Sequence, residues 1–158
     1  MKFGRGVTSL VAMSEATEST IRIEAPVADV VAVVSDLTKY PEWSTSIKRV
    51  EVLESDSEGR PVKVTMMVDA GPMRDSVTLQ YDWSLAPAQL SWTLLEAEML
   101  TAMDGTYTIS EADEDSTEVS YRLAVDVAMP MLSMLKRKAE KAVVDVSLKE
   151  LKKRVEQA

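Results

Sequence analysis

The feature that most restricts the fold is a run of strictly alternating apolar segments filling the middle of the chain. Val50 and Val52 begin it, and the turn Ser57-Glu58-Gly59-Arg60-Pro61 leads to Val62, Val64, Met66 and Val68. Across Gly71-Pro72 come Val77, Leu79, Tyr81 and Trp83, and across Ala86-Pro87 come Leu90, Trp92 and Leu94. Tyr107 and Ile109 precede the acidic turn Asp113-Glu114-Asp115, after which Val119, Tyr121, Leu123, Val125 and Val127 close the series. A period of two puts these side chains on one face of a pleated strand, and short turns make neighbouring strands antiparallel. Six such segments predict a meander with one face in water and one needing a cover.

The flanking segments supply that cover. Ile21 and Ile23 alternate with Thr20, Arg22 and Glu24 up to Pro26, giving one more strand. Val27, Val30, Val31, Val34 and Leu37 follow the three-and-four spacing of a helix face, although β-branched residues are poor helix formers and packing must hold them. Tyr40-Pro41-Glu42-Trp43 suits a second short helix, because proline is tolerated in a first turn. Pro130 then opens a helix running to the C-terminus, about 40 Å long at 1.5 Å per residue. The expected fold class is α+β: a seven-stranded curved antiparallel sheet wrapped around a long C-terminal helix, with two short helices after the first strand.

With 158 residues, one domain suffices, and residues 1–18 read as a flexible N-terminal leader before a domain over 19–158. Lys2 and Arg5 precede the short apolar run Val7 to Met13, but Glu15 and Glu18 follow instead of a clean cleavage site. Met13 is itself an alternative start. No stretch is apolar over about 18 residues, so no transmembrane segment is expected and the protein reads as cytoplasmic.

Composition removes whole classes of chemistry. The chain has no His and no Cys, so it lacks thiolate or imidazole metal ligands, a Cys nucleophile, a Ser-His-Asp triad and an imidazole base. No metal and no cofactor are expected. Lys plus Arg number 18 and Asp plus Glu 26, a net charge of −8, which argues against nucleic acid as a partner. The charge is uneven: residues 131–158 hold eight basic and four acidic residues, or +4, leaving −8 − 4 = −12 elsewhere.

Several segments together resemble a known family: Ile21-Arg22-Ile23-Glu24-Ala25-Pro26-Val27-Ala28-Asp29-Val30, the helix end Ser35-Asp36-Leu37, Tyr40-Pro41-Glu42-Trp43, Gly105 at a strand entry, and the long closing helix. They are similar to the polyketide cyclase/dehydrase-like branch of the START and Bet v 1-like (SRPBCC) superfamily, from Ser19 to the C-terminus. The resemblance implies a helix-grip fold with a hydrophobic tunnel between sheet and long helix. It does not imply one chemistry, since that superfamily includes lipid carriers, quinone-binding proteins and aromatase/cyclases.

The alternation places Val64, Met66, Leu79, Tyr81, Trp92, Leu94, Tyr107, Tyr121, Leu123 and Val125 on the concave face. Helices and loops add Val34, Trp43, Met99, Met131, Met134 and Leu135. Such a lining suits a small hydrophobic ligand, with tyrosine hydroxyls and indole donors for orientation and flexible methionines for adaptation. A single Phe, Phe3, lies outside the domain, so the concavity is expected to stay partly empty. Arg74 and Asp75 form the best polar pair for a tunnel mouth. A catalytic reading would need Tyr81, Tyr107, Tyr121 or an inward carboxylate or Arg to move protons, although free tyrosine titrates near 10.

The last helix offers two apolar strips. Leu132, Leu135, Ala139, Ala142 and Val146 form one face, and Val144, Leu148, Leu151 and Val155 lie nearly opposite. Either the helix twists or kinks near Val144, or its second half offers a strip to another surface, such as a homodimer partner. Lys136, Arg137, Lys138, Lys141, Lys149, Lys152, Lys153 and Arg154 suggest weak peripheral contact with anionic headgroups, but Glu140, Asp145, Glu150 and Glu156 interleave with them as on a solvated face. The functional expectation is binding or carriage of a small hydrophobic ligand such as a lipid, quinone or polyketide-like molecule. The alternative is an aromatase/cyclase- or dehydratase-like enzyme.

Overall fold

A computed structural model describes residues 16–70, 73–128 and 133–157. Its elements in chain order are β1 (Thr17–Ile23), α1 (Val27–Ser35), a 3₁₀ turn (Leu37–Lys39), α2 (Tyr40–Trp43), β2 (Ile47–Ser55), β3 (Pro61–Ala70), β4 (Met73–Asp82), β5 (Gln89–Glu96), β6 (Leu100–Asp113), β7 (Ser116–Val127) and α3 (Ser133–Glu156). The seven strands form one antiparallel sheet in the order β1-β7-β6-β5-β4-β3-β2. The first two strands thus occupy opposite edges, and α1 and α2 carry the chain between them. Register shifts in the β2–β3, β4–β5 and β6–β7 pairs are the irregularities that bend a sheet into a grip.

The strand β1 starts at Thr17, inside the segment assigned to the leader, and Thr17 and Glu18 pair with Leu123 and Arg122. The apolar pattern fades there because the half-buried side chains are polar. The Thr17 hydroxyl donates to Glu140 at 2.8 Å, and that of Ser19 to Asp145 at 2.9 Å, both on α3.

The helix α3 corrects the reading of its two strips. Val144, Leu148, Leu151 and Val155 are buried, with exposures of 0%, 2%, 0% and 4%, and together with Val143 they form the face that packs into the core. Leu135 and Val146 are 52% and 40% exposed, and Ala142 is also exposed. Leu132 lies outside the described residues. The inward stripe is hard to read because Glu140 and Ser147 interrupt it. Glu140 is fully buried because it has work at the sheet edge, where its carboxylate accepts the Val125 backbone N–H of β7 at 2.8 Å beside the Thr17 bond. Polar clamps fix the other end of the helix: Lys152 donates to the Arg22 carbonyl, the Glu24 amide donates to Glu156, and Arg154 pairs with Glu42.

The strip proposed for a homodimer is therefore core. Leu151→Asp should unfold the domain instead of separating subunits, costing at least about 4 kcal/mol for a carboxylate placed among apolar neighbours. Thermal denaturation would show a large fall in Tm; a variant as stable as the parent would contradict this packing.

Candidate functional site

Every Trp and Tyr in the chain lies in the domain, and together they occupy much of the concavity that a shortage of Phe was expected to leave open. The indole of Trp92 is central. Its ring centroid lies 5.4 Å from Tyr81, 5.5 Å from Tyr107 and 5.8 Å from Tyr121, while Tyr107 and Tyr121 are 4.7 Å apart. At the α2 end, Tyr40 meets Trp43 edge-on at 5.1 Å. Tilted and edge-on contacts of this kind add to the burial of each ring. Gly105 makes the arrangement feasible, because it faces Trp92 across the β5–β6 pair and a Cβ there would lie 2.2 Å from Trp92 Cζ2.

Beside this cluster lies a cavity with about 520 Å³ of empty space, counted out to the solvent at its mouth. Its wall includes Trp43, Met66, Leu79, Tyr81, Trp92, Tyr107 and Tyr121 from the expected set, and no charged side chain. It also holds Tyr40, Ser44, Ser46, Ile47, Val68, Met103, Val143 and Ser147, which the sequence reading did not select. Met103 and Val68 were within reach of the period-two rule, since Met103 continues the register of Gly105 and Tyr107, and Val68 that of Met66. The three serines carried no apolar signal.

The polar groups of this cavity are donors without charge. The Trp43 indole N–H is buried and has no partner among the described residues. The hydroxyl of Tyr40 donates to the Val34 carbonyl; among the described residues those of Tyr81, Tyr107 and Tyr121 have no hydrogen-bond partner. Burial pushes all four phenols up from their ordinary value near 10, with neighbouring tyrosines adding to the rise for Tyr40, Tyr81 and Tyr107. They stay protonated at neutral pH, able to hydrogen-bond and ill suited to remove a proton.

A second cavity, about 420 Å³ on the same measure, is lined by Val68, Arg74, Asp75, Met99, Leu100, Met103, Leu123, Val127 and Val143. Arg74 and Asp75 both border it, but they are not the pair expected at a mouth. Arg74 is largely exposed and bridges to Asp69 at 3.1 Å. Asp75 is buried and binds backbone, accepting the amides of Ser76 and Glu98 on one oxygen and those of Met99 and Leu100 on the other, at 2.8–3.1 Å. Burial would raise its carboxyl, but these four donors hold it below the ordinary carboxylate range.

The remaining sequence choices separate. Val64 is buried and Leu94 half-buried in the core, and neither borders the two cavities. Met99 sits half-exposed at the rim of the second cavity. Met134 and Leu135 are 76% and 52% exposed and do not reach the concave face, because α3 turns its Val143–Val144 side inward. Met131 lies outside the described residues.

A family model described as polyketide cyclase / dehydrase and lipid transport matches residues 14–156. The chain belongs to this family. Solved structures with the same helix-grip, START-like fold include a START superfamily protein from Mycobacterium smegmatis, 24% identical with a TM-score of 0.85, covering 90% of this chain and 97% of that one. The Zhui aromatase/cyclase from Streptomyces sp. R1128 is 20% identical with a TM-score of 0.75, covering 90% and 93%. A protein from Thermus thermophilus is 19% identical with a TM-score of 0.77, covering 90% and 97%. At these identities the likeness concerns the fold. Among curated proteins none matches the chain. No helix among the described residues is long and apolar enough to cross a membrane.

Proposed function

We propose that this member of the polyketide cyclase/dehydrase and lipid transport family binds and carries a small hydrophobic ligand between its sheet and α3. The observation that carries the reading is the wall of the first cavity, which is aromatic and aliphatic, dotted with neutral donors and free of charged side chains. Apolar walls with a few polar atoms are how proteins hold small molecules, and methionines such as Met66 and Met103 let one wall adapt to several shapes. The phenols raised by burial support carriage over catalysis, because a general acid or base works best with a pKa near ambient pH.

The test is incubation of the purified protein with a total lipid extract, followed by native mass spectrometry. A retained apolar species, released on denaturation, is the expected result; only the bare protein mass would contradict the reading. The aromatase/cyclase reading makes a different prediction for a variant with Tyr81, Tyr107 and Tyr121 all changed to Phe. A carrier should keep affinity for its ligand within about tenfold, the worth of one or two neutral hydrogen bonds. A tyrosine-dependent cyclase should retain binding and lose turnover of a poly-keto substrate.

A further inference from the structure

The two cavities are neighbours with contrasting walls, and the contrast specifies the ligand. Both are bordered by Val68, Met103 and Val143, from β3, β6 and α3 respectively, so these side chains stand between them. Valine is stiff at χ1, whereas methionine has three rotatable bonds and repacks readily. Met103 is thus the movable part of the partition, and its rotation would join the cavities into one channel.

The polar groups fall on one side of that partition. The first cavity has, among the described residues, the unpartnered Trp43 indole N–H, the unpartnered phenols of Tyr81, Tyr107 and Tyr121, and the hydroxyls of Ser44, Ser46 and Ser147. On the far side the polar residues are Arg74 and Asp75, of which Arg74 is engaged by Asp69 and Asp75 by four backbone amides. A buried donor without a partner is costly, and an acceptor on a ligand relieves that cost. An anionic head, in contrast, would enter a wall without a cation to meet it.

Resting on the carrier reading, the geometry points to an uncharged, elongated amphiphile whose oxo group accepts from Trp43 Nε1 and whose alkyl tail passes Met103 into the second cavity. The ligand class is therefore neutral long-chain ketones and related carbonyl lipids, not fatty acid anions.

Calorimetric titration with straight-chain methyl ketones, alkanes of equal length and the corresponding fatty acids tests each part. For the native protein, ketones should bind roughly tenfold more tightly than matched alkanes, the worth of one buried hydrogen bond. Fatty acids should bind weakly at neutral pH and gain affinity as acidification neutralises them. In Trp43→Phe, which keeps a ring beside Tyr40, the ketone-to-alkane ratio should fall severalfold, with the phenols of Tyr81, Tyr107 and Tyr121 left as weaker donors. Native affinity should keep rising with chain length, Met103→Phe should level off at a shorter chain, and Met103→Ala should not.

A ketone advantage that is absent in the native protein, or that is undiminished in Trp43→Phe, would overturn the placement of the head. Identical chain-length profiles in the native protein and both Met103 variants would overturn the passage of the tail, and fatty acid anions matching ketones at neutral pH would overturn the neutral class. A native protein that takes up none of these compounds, nor any species from a lipid extract, would overturn the carrier reading itself.

Discussion

Replacing Asp75 with alanine should cost about 3 kcal/mol, because one small side chain serves four backbone donors and only some can turn to water. The amides of Ser76, Glu98, Met99 and Leu100 all donate to it, and the Leu100 bond is fully buried. Residues 97–99 connect β5 to β6 at the rim of the second cavity, so the carboxylate holds a cavity wall as well as a loop. Asp75→Asn should cost less than alanine, since the amide keeps one acceptor oxygen but turns an NH₂ group toward the other donors.

The same residue predicts a dependence on pH. The folded carboxyl titrates below the ordinary range, so its contribution is fully present above the unfolded value near 3.9 and is lost as pH falls through the lower folded value. The stability gap between native protein and Asp75→Ala should be constant near neutrality and narrow below about pH 4. Denaturant titrations across that range measure it, and hydrogen exchange at Glu98, Met99 and Leu100 should quicken in the variant. A gap that stays constant down to pH 2 would show that Asp75 does not hold the loop as a carboxylate.

The parts of this fold legible in the sequence are those ruled by a single periodicity. Val64, Met66, Leu79, Tyr81, Trp92, Tyr107, Tyr121 and Leu123 are all buried, because the pleat sends alternate side chains to the same face whatever the curvature. The sheet, its meander and the closing helix followed from that rule together with the turns. Illegible were the places where a polar side chain turns inward, to serve backbone as Glu140 and Asp75 do or to line a cavity as Ser147 does. Glu140 and Ser147 break the apolar stripe of α3, so the weaker stripe through Leu135 and Val146 competes with it for the inner face when only the sequence is read. Asp75 looked like half of a surface pair, and only the fold shows the amides of residues 98–100 converging on it.

The cavity shows the same limit. A near absence of Phe suggested an empty concavity, yet local alternation does not reveal that Trp92, Tyr107, Tyr121 and Tyr81 would meet at one place. Their meeting depends on strand register, which pairs Trp92 with both Tyr81 and Gly105, and Tyr107 with Tyr121. What remains open is set by side chains at the margin, chiefly Trp43, Met103 and the serines. Specificity is accordingly expected there, not among the rings that the composition advertises.

Register also makes Gly105→Ala a damaging substitution although it adds only one methyl group. The new methyl would lie 2.2 Å from Cζ2, 2.3 Å from Cε2 and 2.6 Å from Nε1 of Trp92, distances at which one group must move. The indole cannot swing aside freely, because it is 5% exposed and ringed by Tyr81, Tyr107 and Tyr121. Overpacking in a well-filled core costs about 1–3 kcal/mol, and displacement of a central ring places this case at the upper end. Ligand affinity should fall as well, since Trp92 borders the first cavity and any shift of the indole alters that wall. The cause can be isolated by a double-mutant cycle with Trp92→Leu, which removes the clashing ring at a cost of its own of about 3 kcal/mol. In that background Gly105→Ala should be close to neutral, because alanine is otherwise better than glycine in a strand. Urea denaturation of the four proteins gives the coupling energy; equal penalties for Gly105→Ala with and without the indole would place the strain elsewhere in the β5–β6 pair.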